Sequence, residues 1–509
     1  MRRSWLTAAA VTVAVILAVS FVALYGVTKD GGPEPGVLRL GLVRVASTDP
    51  ARAATVDEQL LADQLFDGLT RWDPATGAPV AALAESWRVS DDRRHWVFAL
   101  RAGAQFSDGS PVRGADVTAT VARIGAEGSA SSVRDLLAGV SVRVDEGEPN
   151  VVVFDLESPW EDLPSALANP AFGVMPAAQA ATPVFPARPV GSGPFRFASR
   201  TEDGLVLQAV RGRGVKLRGI EVRFFEDRTA AYAAFVDGDV DWSEVPAAKV
   251  EEAAARFGRR HFRPYAAELF YAFNMRSEKW ADKRLREAAV RAVDRTAITE
   301  DVYGGSVRPL AGLLPAGVDG YVADACGAAC STDVEKAKAL VADYTGAQGS
   351  APQVAIDFER DAAQQAVARA LEGALEAVGF EVTLRPRPLA EYQRFAVSGE
   401  ADLFRLGWVP AYPSADAYLH PLFASASANN LPGFALSTVD DLLASARATT
   451  DAAARTAVYQ RAEQAVLAEW PVVPLAQYEF HGVASRRVRG LEVGVMGTFD
   501  AAAISIIDS

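Results

Sequence analysis

Residues able to do covalent or metal chemistry are sparse in this 509-residue chain. There are four histidines (His95, His261, His420 and His481), and none lies near the only two cysteines, Cys326 and Cys330. A zinc set needs clustered thiolates and imidazoles, so the metal pattern is incomplete. Gly191-Ser192-Gly193 places a serine between glycines, but it is shorter than a nucleophile elbow and a proline follows it. H-E-x-x-H, P-loop and dinucleotide-binding patterns are missing. These residue types argue against an enzyme and leave non-covalent binding. Trp408 and Tyr412 offer aromatic faces, which give contact area and cation–π attraction without demanding one partner. Each can equally pack inside the fold. Asn274 ends an apolar run, where its amide can bond a ligand backbone or cap a strand. Arg405 shares strand parity with Leu403 and Gly407, so it projects opposite Trp408, toward a ligand carboxylate or, more simply, toward solvent.

The elements that must position these residues begin after a separate N-terminal segment. Arg2 and Arg3 precede an uncharged run from Trp5 to Val27, 23 residues long and closed by Lys29 and Asp30. Such a run spans a bilayer core of about 30 Å. The paired arginines hold its start inside the cell, so the chain after residue 30 lies outside. An uncleaved anchor over 1–30, with a linker at 31–36, is expected; a cleaved signal peptide is the alternative. Outside the cell, Cys326 and Cys330 are expected to form a small structural disulfide. The net charge of −13 disfavours nucleic acid as a partner. Half the residues are apolar and 23% are charged, as in a soluble globular protein.

Partly alternating apolar residues predict strands at Val37–Val43 and His95–Leu100, a continuous apolar run predicts one at Leu269–Asn274, and a hairpin is expected from Val140–Val144 and Val151–Leu156. Helical spacing runs from Leu60 to Leu69. The last third alternates strand and helix: Val354–Phe358, Ala362–Val378, Phe380–Leu384 and Ala401–Trp408. That alternation predicts α/β bodies with parallel sheet.

Several blocks occur in one order along residues 37–495. They are Ala84-Glu85-Ser86-Trp87, the run from Trp96 to Gly109 ending in Phe106-Ser107-Asp108-Gly109, Pro189-Val190-Gly191-Ser192-Gly193-Pro194-Phe195, Phe273-Asn274, the run Arg284 to Ala288 with Asp294-Arg295, and Gly407-Trp408 with Tyr412-Pro413. Together they resemble the bacterial extracellular solute-binding proteins of family 5, the oligopeptide- and dipeptide-binding proteins of ABC importers. The resemblance implies a periplasmic-binding-protein-like α/β fold of the class II type, with two hinged lobes and an inserted subdomain. Lobe I would comprise 37–75, 190–265 and 480–509, the subdomain 76–189, and lobe II 266–479. It implies a monomeric, extracytoplasmic component that encloses peptides or peptide-like solutes and delivers them to permease subunits, with no cofactor. The alternatives are a tethered sensor, a binding protein for a metal complex, haem, opine or oligosaccharide, or, less favoured, a hydrolase. The family element around Trp408 carries an aspartate that pairs with the ligand's α-amine. Here Ala411 occupies that position, and Asp416, five residues on, is the acidic residue placed to substitute for it.

Overall fold

Two thirteen-residue strands, His261–Phe273 and Val472–Ala484, run antiparallel through the middle of the molecule. The computed structural model describes residues 36–507. The expected anchor at 1–30 lies outside the described residues, among which no helix is long and apolar enough to cross a membrane. On one side of the central pair the sheet continues through Leu403–Trp408, Gln353–Glu359 and Glu381–Arg387. On the other side it continues through Trp242–Glu244, Val37–Val43, Gly219–Phe225, Gly204–Ala209 and Phe195–Arg200. The expected parallel sheet is in fact mixed. Parallel pairing occurs at Val37–Val43 with both its neighbours and at Gln353–Glu359 with both of its own. The two central strands and the hairpin Phe195–Ala209 are antiparallel, a geometry that short turns can close.

The central ladder is interrupted between Pro264 and Glu268, where the register shifts. Proline has no backbone N–H to donate, and an unpaired stretch bends a strand locally.

A separate four-stranded sheet comprises Ala84–Val89, His95–Leu100, Val151–Leu156 and Val140–Val144. Its strand His95–Leu100 buries Trp96, Phe98 and Leu100 on one face, the period of two that alternation requires. Phe98 and Phe154 meet edge to face at 5.5 Å, and Trp87 stacks on Phe98 at 6.1 Å.

The helix expected over Leu60–Leu69 is Val56–Leu65. Thr55 and Glu58 form a capping box at its start. It stops early because Phe66 is extended, although the apolar spacing carries on to Leu69. Its last turn is closed from outside by the Gly-Ser-Gly run. The Gly193 N–H donates to the Leu65 carbonyl at 2.9 Å. A Cβ on Gly191 would sit 1.9 Å from that same carbonyl oxygen, so only glycine fits. Ser192 is fully buried; its hydroxyl donates to the Val174 carbonyl at 2.7 Å and accepts from the Asp67 N–H at 3.0 Å. The serine is a structural bracket.

Cys326 and Cys330 are joined in a disulfide, with Cα atoms 5.2 Å apart, and both are buried. The buried Arg295 guanidinium donates to the Cys330 carbonyl and, at 2.8 Å, to that of Pro474.

Candidate functional site

Asp416, the residue placed to replace the missing carboxylate, is wholly buried and fully engaged by protein donors. Arg447 Nε donates to its two oxygens at 2.8 and 3.1 Å, and Nη2 adds a bond of 2.9 Å. The Tyr412 hydroxyl donates at 2.6 Å, the Tyr459 hydroxyl at 2.9 Å and the Trp160 Nε1–H at 3.1 Å. Burial pushes the carboxyl upward, but the charge and bonds of Arg447 outweigh it and hold the group well below the usual carboxylate range. Close by, the Ser414 hydroxyl donates to Asp162 at 3.0 Å, and Arg455 lies 3.8 Å from the same carboxylate. Burial and the neighbouring Asp416 push Asp162 up to about 7.

The other residues read from the sequence are engaged in the same way. Tyr412 is buried, with its ring 6.0 Å from that of Trp160. Trp408 is half-buried and donates from Nε1 to the Ala417 carbonyl at 2.7 Å. The Asn274 amide donates to the carbonyls of Gly399 at 2.9 Å and Ala401 at 2.7 Å, and so fastens a strand end. Arg405 is half-buried, partly open to solvent and partly held by protein partners. It lies across the ladder from Tyr271 and ion-pairs with Glu359 at 3.4 Å, near the phenols of Tyr478 and Tyr392. Even the Ala411 carbonyl accepts from Asn169, at 2.8 Å.

None of these five side chains lines the cavity of about 370 Å³ that opens beside the helix Val56–Leu65. The helix Val56–Leu65 brings Asp63 to its wall, and the turn after it brings Asp67. The strand Thr70–Trp72 adds Arg71 and Trp72, whose Nε1–H is anchored on the Ser165 carbonyl at 2.9 Å. Met496, Phe499 and Asp500 enter from the C-terminal segment, Arg101 and Pro170 from the region of the four-stranded sheet, and Pro413 from the loop after Trp408.

Charges of both signs meet in this cavity. Arg213 pairs with Asp67 at 3.3 Å and donates to the carbonyls of Gln105 and Ser192. Arg71 pairs with Asp500 at 3.3 Å, both partly open to solvent. Asp73 accepts from the Thr76 N–H and hydroxyl and from the Ala75 N–H, all within its own turn, and these bonds lower its pKa. Asp63 hydrogen-bonds Thr498. Burial, then the charges of Asp500 and Asp67, push its carboxyl up to about 8, while burial pushes Asp67 up to about 6 against the pull of Arg213. The cavity residues come from segments far apart in the chain. The one local signal was the four-residue spacing of Asp63, Asp67 and Arg71, which crosses a helix end.

A mixed α/β sheet threaded by two long strands, with an enclosed polar cavity beside it, defines a periplasmic-type binding protein. The chain belongs to the bacterial extracellular solute-binding proteins, family 5 Middle, whose pattern matches residues 78–430. It is 26% identical over 429 residues to the probable D,D-dipeptide-binding periplasmic protein DdpA of Escherichia coli K12, covering 80% of this chain and 81% of that protein. The unliganded open form of the periplasmic murein tripeptide-binding protein MppA superposes with a TM-score of 0.80 at 22% identity, covering 94% of this chain and 98% of the other. AgaA from A. tumefaciens R10, solved in complex with agropinic acid, superposes with a TM-score of 0.73 at 27% identity, covering 93% and 99%.

Proposed function

We propose that this protein captures a short peptide or peptide-like solute in the cavity walled by Arg71 and Trp72 and delivers it to the permease of an ABC importer. The cavity itself carries this reading. Small-molecule sites span about 300–1,000 Å³, and a volume of about 370 Å³ suits a solute of two or three residues better than a long peptide. Mixed charge with aromatic walls suits an amphipathic, doubly charged solute. Peptide-binding relatives support the same class, and the opine complex of AgaA supports small size as the shared property.

In this reading the lobes are 37–75 with 190–265 and 480–509, and 266–479, with 76–189 inserted into the first. The strands His261–Phe273 and Val472–Ala484 serve as the hinge, flexing at the register shift between Pro264 and Glu268. Closure over a solute would give the permease a shape to select. The apolar run Trp5–Val27 supports retention at the outer face of the membrane.

Mass spectrometry of solute carried through purification, followed by calorimetry with di- and tripeptides, tests the ligand class. Carriage of only a sugar or a metal chelate would overturn it. Sequencing of the mature N-terminus tests the anchor; a start near residue 25–35 would remove it.

A further inference from the structure

Of the four carboxylates that line the cavity, three are already satisfied. Asp67 is paired with Arg213, Asp500 with Arg71, and Asp73 is closed by its own turn. Asp63 differs from them. No ion pair among the described residues includes it, and its hydrogen bond to Thr498 brings no charge. It also faces the like charges of Asp500 and Asp67. The walls beside it include the apolar Phe66, Met496 and Phe499, and Arg71, whose charge also reaches Asp63, is itself paired with Asp500 at 3.3 Å. A cationic guest would supply the countercharge and relieve the crowding of three carboxylates.

We infer that Asp63 receives a primary ammonium group of the solute, so that the cavity selects small solutes with a free amine. This rests on the reading of the cavity as the site for a peptide-like solute. Asp63 is then a specificity-determining residue, presented by the last turn of the helix Val56–Leu65.

The test uses the full-length protein and calorimetry with Ala-Ala and Ala-Ala-Ala, each with a free and an N-acetylated amine. N-acetylation is expected to weaken binding by about tenfold or more. Asp63→Asn, which keeps the shape and the bond to Thr498, should weaken the free peptides by a similar factor and leave the acetylated ones unchanged. Equal affinity of the wild-type protein for free and acetylated peptides would overturn the inference without recourse to any variant. Equal affinity of wild type and Asp63→Asn for the free peptides would do the same, while the peptide-binding reading stands. Failure of the wild-type protein to bind any of the four would instead overturn that reading, and the inference with it.

Discussion

Asp416 shows how a charge is made safe inside a protein. One carboxylate receives Arg447, two tyrosines and a tryptophan, and nothing is left over for a ligand. Removing one partner of a buried pair leaves the other uncompensated, at a cost of about 3–5 kcal/mol. Asp416→Asn should therefore lower the free energy of unfolding by that amount in urea titration while the folded protein keeps its solute affinity. Lost affinity at unchanged stability would place Asp416 in the ligand site after all. Asp162 behaves in the opposite sense. Its carboxyl is raised to about 7 from 3.8, so the native state holds a proton that the unfolded chain releases. Its contribution is fully present below pH 3.8 and disappears as pH rises through about 7. Asp162→Asn should flatten the decline in stability between pH 4 and 7 relative to the wild type, measured as the denaturant midpoint against pH. The sequence displays both aspartates but not these roles, because Arg447 reaches Asp416 from 31 residues away, Trp160 reaches it from 256, and Ser414 reaches Asp162 from 252.

At the level of elements, contiguous patterns were readable and junctions were not. The strand His95–Leu100 follows its alternation residue by residue, and the hairpin strands keep their expected bounds at Val140–Val144 and Val151–Leu156, although Val153 is buried along with its neighbours Val152 and Phe154. The helix Val56–Leu65 does not, since the apolar stripe continues through Phe66 and Leu69 after the backbone has already straightened. What stops it is a contact from the Gly-Ser-Gly run, more than a hundred residues downstream. Gly191→Ala would drive a methyl group into the Leu65 carbonyl, and overpacking against backbone costs about 3 kcal/mol. Chemical denaturation should show that loss, with reduced solute affinity in the folded fraction because Asp63 and Asp67 flank the displaced turn. The cavity was illegible for the same reason. Its wall is assembled from a helix end, a short strand, Arg213 and the C-terminal segment, and only Asp63, Asp67 and Arg71 among them share a spacing.

At the scale of the whole molecule, the proposed hinge lies in the paired central strands. The stretch between Pro264 and Glu268 lacks the ladder bonds that hold its neighbours, although the Ala266 N–H donates to the Val495 carbonyl at 2.9 Å. Hydrogen exchange read by mass spectrometry should find Tyr265–Ala267 exchanging faster than Leu269–Phe273 in the same strand, with the difference narrowing when solute is bound. Uniform protection along the strand would move the hinge elsewhere. The same strands have a thermal consequence. They belong to one continuous sheet running from Glu381–Arg387 at one edge to Phe195–Arg200 at the other. Neither half can lose its order without exposing the flank of the other. A scanning calorimeter should therefore record a single endotherm, with matching calorimetric and van't Hoff enthalpies, from a chain long enough to melt in pieces.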